Sequence, residues 1–137
     1  VVDDPNAGYY SSSALDQNDA PHFAYVDLST GELKYVQKIE DAWVIEIVDD
    51  PGIHDGQRTC LVLDAAGRPH LTYYDTEQKS LKYAWHNGTD WVIMKATPSV
   101  GGDIGQYTAL ALDSSGNAHI SYYDAVNQNL LYAKFNH

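Results

Sequence analysis

Val62-Leu63-Asp64-Ala65-Ala66-Gly67-Arg68-Pro69-His70-Leu71-Thr72-Tyr73-Tyr74-Asp75 decides the fold, because the chain writes it three times. Upstream, Ala14-Leu15-Asp16 leads to Pro21-His22-Phe23-Ala24-Tyr25-Val26-Asp27. Downstream, Ala111-Leu112-Asp113 leads to Ala118-His119-Ile120-Ser121-Tyr122-Tyr123-Asp124. Asp16 to Asp64 is 48 residues and Asp64 to Asp113 is 49. The match runs on through Leu33-Lys34-Tyr35, Leu81-Lys82-Tyr83 and Leu130-Leu131-Tyr132, and through Trp43-Val44-Ile45 and Trp91-Val92-Ile93. Anchored columns at one fixed period are the mark of a repeat architecture.

Each repeat reads as four short strands. In the second they fall over about 57–63, 70–74, 81–85 and 91–95, here called A to D. Alternation of apolar and polar residues, as in Trp91-Val92-Ile93-Met94, argues for strands, and no helical period competes. Eleven Tyr and three Trp suit pleated, half-buried faces. Asp64-Ala65-Ala66-Gly67 predicts a type I turn followed by a glycine at positive φ, and Asp113-Ser114-Ser115-Gly116 repeats it. Asp19 replaces that glycine in the first repeat, a residue that also enters the left-handed region. Strand A carries small residues on one side (Ser12 and Ala14, Cys60 and Val62, Ala109 and Ala111) and Leu15, Leu63 and Leu112 on the other. A thin side and a bulky side suit units stacked face to face. Four-stranded antiparallel units of this length predict an all-β chain of propeller blades, over about 8–47, 56–95 and 105–137 of a single propeller segment.

The pattern A-L-D-x-x-G-x-x-H-x-x-Y-Y-D, with L-x-Y and W following, resembles secreted bacterial β-propeller repeats akin to the lectin and sialidase-like propeller group. The resemblance implies an extracellular location. It also sets a test for hydrolysis: the sialidase-like relatives use an arginine triad, and this chain holds only Arg58 and Arg68. A non-enzymatic module is therefore expected, with a glycosidase-like enzyme as the weaker reading.

Three blades do not close a ring, since propellers have about 4–8. Asn136 and His137 fall, within one residue, at the level of His86 and Asn87, so the third blade lacks its outer strand. Val1-Val2-Asp3-Asp4-Pro5 matches Ile47-Val48-Asp49-Asp50-Pro51, the tail of a D strand. An open arc leaves apolar patches of roughly several hundred Å² at both ends, more than a monomer usually leaves uncovered. The expected remedy is a homodimer forming six blades; a fragment of a longer propeller protein is the alternative. The unpaired edge at 130–134 also invites strand donation between copies.

The chain of 137 residues is 44% hydrophobic and 20% charged, as a folded domain should be. A formal charge of −11 repels phosphate backbones and anionic bilayers, so neither nucleic acid nor membrane is an expected partner. No apolar run exceeds five residues, far short of a span, and the first residues do not read as a signal peptide. Cys60 stands alone.

His22, His70 and His119 share one repeat position. Equivalent positions on separate blades radiate and do not converge, so packing histidines are expected, not metal ligands. The repeated Asp16, Asp64, Asp113 and Asp27, Asp75, Asp124 are expected to accept turn amides. Asp49, Asp50 and Asp55 make the densest oxygen cluster, the one place where calcium suggests itself; no other cofactor is expected. Binding is expected on the face where the D–A and B–C loops emerge. There Tyr10, Gln57, Arg58, Gln106 and Tyr107 offer rings with amide and guanidinium donors, as sugar rings require. Trp85, whose repeat counterparts are Gln37 and Lys134, is a further candidate. Asn87-Gly88-Thr89 spells a glycosylation sequon, yet a C–D hairpin turn explains it. The expected function is multivalent, lectin-like carbohydrate binding; the alternative is a structural or self-assembling scaffold without a small ligand.

Overall fold

The computed structural model describes residues 1–3, 5–50, 58–97 and 102–137, which form eleven strands and no helix. Among them no helix is long and apolar enough to cross a membrane. Strands β1 (Tyr9–Leu15), β2 (Pro21–Asp27), β3 (Glu32–Ile39) and β4 (Ala42–Asp49) form one antiparallel sheet in chain order. Strands β5 (Cys60–Leu63), β6 (Pro69–Asp75), β7 (Ser80–His86) and β8 (Trp91–Lys95) repeat it. Strands β9 (Ile104–Leu112), β10 (Ala118–Asp124) and β11 (Asn129–Phe135) form a third, three-stranded sheet. These are three propeller blades. Their first strands β1, β5 and β9 adjoin one another, and one parallel bridge, Ser80 to Ile104, links the second blade to the third.

The turns form as the residues require. Oδ1 of Asp16, Asp64 and Asp113 accepts the backbone N–H groups two and four residues on, at 2.8 to 2.9 Å. Gly67 and Gly116 close their turns at φ +76° and +82°, and Asp19 does so at +61°.

The core lies between blades, not within them, because each thin sheet has two faces to cover. Ala24, Leu33 and Tyr35 of blade 1 pack on Leu61, Leu71 and Tyr73 of blade 2. Leu81 and Tyr83 of blade 2 pack with Leu110, Ile120 and Tyr122 of blade 3. The small residues of strand A then act as hooks. Ser12 Oγ accepts the Leu61 N–H at 3.0 Å, and Cys60 Sγ, one repeat later, accepts the Leu110 N–H at 3.3 Å.

Backbones come closest at Gly105, which sits at φ +121° with Leu81 beneath it. A Cβ there would lie 2.4 Å from the Leu81 nitrogen. Gly105→Ala is therefore expected to lower unfolding free energy in urea by about 3 kcal/mol or more, through both φ strain and overpacking. Gly67→Ala, at positive φ with no atom within 4 Å of its Cβ, is expected to cost only about 1 kcal/mol.

Candidate functional site

Each blade holds the same polar chain at its outer end. Nδ1 of His22 shares a hydrogen bond with the Tyr35 hydroxyl, His70 with Tyr83 at 2.5 Å, and His119 with Tyr132 at 2.8 Å. Nε2 of each faces the turn aspartate, 3.9 Å from Asp16, 3.8 Å from Asp64 and 3.2 Å from Asp113. Strand B thus presents the histidine, strand C the tyrosine and the A–B turn the carboxylate. The histidines are packing residues tied into this chain.

At the opposite end a second network crosses between blades. Asp49, at the end of β4, accepts the Tyr73 hydroxyl at 2.6 Å and Lys82 Nζ at 2.9 Å. Lys82 also meets the buried Asp75 at 2.9 Å. Asp3 repeats this for blade 1, accepting Tyr25 at 2.8 Å and Lys34 at 3.1 Å, while Asp27 holds Lys34 at 2.8 Å. The Lys34 hydrogen bond draws the Asp27 carboxyl down to about 2, against a smaller opposing effect of burial. In blade 3 Leu131 stands for the lysine and Thr97 for the incoming aspartate. The buried Asp124 is kept there and is satisfied by the Val126 and Asn127 amides and the Asn127 side chain instead.

A cleft of about 340 Å³ opens between blades 2 and 3 on the side of the A–B and C–D turns. Asp64, Arg68, His70, Trp85 and His86 line it from blade 2, Ser115 and His137 from blade 3. Arg68 donates from Nε and Nη2 to Asp64 Oδ2, both at 2.7 Å, which fixes the guanidinium at the rim. Burial tends to raise the Asp64 carboxyl, but the Arg68 amide and guanidinium outweigh it and hold it below the usual range. Trp85 stacks on Tyr83 at 5.2 Å between centroids, with the His137 ring edge-on at 4.9 Å. A smaller cleft of about 230 Å³ repeats the arrangement between blades 1 and 2, lined by Tyr35, Gln37 and Glu46 on one side and Arg68 and His86 on the other. Glu46 there accepts the Trp91 indole N–H at 2.9 Å.

Of the ligand-contact candidates singled out from sequence, Trp85 alone among the described residues lies in these clefts. Tyr10 and Tyr107 are exposed at the start of their inner strands, at the other end of the blades, and both adopt positive φ, +55° and +52°. Each sits where the strand register slips. Arg58 is exposed just before β5, and Gln106 donates to Asp103 at 2.8 Å. Gln57 and Asp55 lie outside the described residues. Asp49 is committed to Tyr73 and Lys82, Asp50 is exposed, and no cluster of His, Cys, Asp or Glu suited to a metal exists among the described residues. Sequence reading missed Arg68, His86 and His137. A signal existed for Arg68: like Trp85 it departs from its repeat counterparts, Ala20 and Asn117.

No family model and no curated protein matches the chain. Among solved structures it is similar to a fucose lectin from Kordia zhangzhouensis, solved in complex with methyl-fucoside. The TM-score is 0.53 at 15% identity, over 92% of either chain. At that identity the likeness is one of fold.

Burial lowers the His70 imidazole to about 4, with the Asp64 charge only partly offsetting it and the charges of His137 and Arg68 adding to the fall. A neutral buried histidine stabilises the fold fully above 6.5, the ordinary value, and that stability drains as pH drops from 6.5 toward 4. The melting temperature is expected to fall across that window, a loss on the order of 3 kcal/mol. His70→Gln should flatten this part of the pH profile; an unchanged slope would contradict the account.

Proposed function

We propose that this protein is a non-enzymatic, extracellular carbohydrate-binding module that gains multivalency by pairing two copies into a six-bladed ring. The observation that carries the sugar reading is that Arg68 and Trp85, two positions where the second repeat departs from its sisters, line one cleft. There the indole and His137 supply apolar ring surface for sugar C–H patches. Arg68 and His86 supply donors and acceptors for hydroxyls. Each site is weak alone, and repetition around a ring multiplies apparent affinity. Hydrolysis needs a second carboxylate opposite the first. Asp64 is the only carboxylate lining this cleft among the described residues, and its oxygens are committed to turn amides and Arg68. Tyr10, Arg58, Gln106 and Tyr107 form a second candidate contact surface at the opposite rim.

The fucose lectin's sugar makes methyl-fucoside the first ligand to titrate, followed by an array of neutral and acidic glycans. Arg68→Ala and Trp85→Ala are each expected to weaken binding about tenfold or more, roughly 1.4 kcal/mol, with circular dichroism unchanged. Arg68 is a surface side chain, so its variant reads binding without threatening the fold. Silence across the array would overturn the sugar reading in favour of a scaffold.

A further inference from the structure

The sugar reading leaves the Asn87-Gly88 pair unused, and that pair sits in a turn built like a small reaction site. Of seven asparagines in the chain, Asn87 alone precedes a glycine. The pair opens the hairpin between β7 and β8, where the Asn87 N–H donates to the Asp90 carbonyl at 3.0 Å. Both residues are exposed, and Gly88 adopts φ +106° with no atom within 4 Å of where a Cβ would stand. Blade 1 builds the equivalent hairpin from Lys38-Ile39-Glu40-Asp41, with Glu40 at φ +54°. The turn itself therefore requires neither the asparagine nor the glycine.

An asparagine followed by glycine closes on itself when the glycine nitrogen attacks the side-chain amide carbon. Two demands limit that step: the nitrogen must lose its proton, and the amide oxygen must carry the charge that develops. The turn meets both. The Gly88 N–H donates to Nδ1 of His86 at 3.2 Å, within the reach of a general base. Asn87 Oδ1 accepts the Thr89 and Asp90 N–H groups, both at 2.9 Å, so two donors already face the oxygen where charge gathers. The His86 ring is half-buried and lies edge-on to Trp91 at 5.5 Å between centroids, which limits its rotation. Asn117 and Asn127 are arranged otherwise, with Nδ2 donating to Asp113 and Asp124 at 2.8 Å.

We propose that Asn87 is a self-modifying site, which the folded turn converts to aspartate and isoaspartate. His86 Nδ1 takes the Gly88 amide proton, the Gly88 nitrogen bonds to Asn87 Cγ, and the Cγ–Nδ2 bond breaks. The imidazolium returns the proton to the departing nitrogen, which leaves as ammonia. Water then opens the cyclic imide at either carbonyl, giving an aspartyl or an isoaspartyl link. Water is the only co-reactant, and nothing is oxidised or reduced. The product adds one negative charge to the cleft that Asn87 lines together with Arg68 and Trp85. The reaction is independent of the sugar, since it uses only residues 86–90 and water.

The test incubates the purified whole chain at neutral pH and follows the tryptic segment 83–95, which holds Asn87, by mass spectrometry. The folded chain should lose the Asn87 side-chain amide about tenfold faster than the same chain in guanidinium chloride, as a positioned base and donors require, with Asn117 and Asn127 intact. His86→Gln, with its fold checked by circular dichroism, should bring the folded rate down to the unfolded one. A parent that converts no faster folded than unfolded would overturn the proposal, because the turn would then shield Asn87. Conversion of folded His86→Gln at the parent's rate would overturn it as well. If His86→Gln does not fold, the parent's ratio of folded to unfolded rates decides alone.

Discussion

A four-stranded blade has two apolar faces and no interior of its own, so nothing in this chain is stable until one blade lies on another. Every recurring feature serves that contact. The small side of strand A lets the next inner strand approach until Ser12 and Cys60 accept its amide. The strand C tyrosines Tyr35 and Tyr83 fill the layer, anchored by His22 and His70 so that their hydroxyls are not stranded. Asp49 then fixes the offset of one blade on the next by holding Tyr73 and Lys82 at once. The ion pair is partly buried, and such pairs specify geometry more than they add stability. That reading fits blade 3, where Leu131 and Thr97 replace both partners and the stack persists.

Architecture was legible because it is written in repeated positions whose chemistry is local. Asp64 to Gly67 dictates its own turn, and strand lengths follow the alternation and the turns that bound it. The histidine layer was legible by the same logic, since three equivalent positions on a ring cannot converge on one ion. The clefts were not. They arise from the offset between blades, a tertiary quantity that places His137 against Trp85 across 52 residues of sequence, from position 85 to position 137. The positive φ of Tyr10 and Tyr107 was also hidden, because neither residue type advertises it and only the bulged register of the inner strand imposes it.

Repetition and its exceptions divide the labour. Positions that recur build the stack, and positions that break the pattern, Arg68 and Trp85 in blade 2, gather at one gap between blades. A repeat protein has few other places to put specificity, since any residue fixed by the stack is already engaged.

The most direct measurement of this account is native-state hydrogen exchange at the amides of Leu61 and Leu110, which bond to side chains of the preceding blade. Blades that depend on one another predict that both amides exchange only by global unfolding, as slowly as the most protected amides of β6 and β7. Exchange at these two positions much faster than within the sheets would mean that the blades part freely, and would contradict the account.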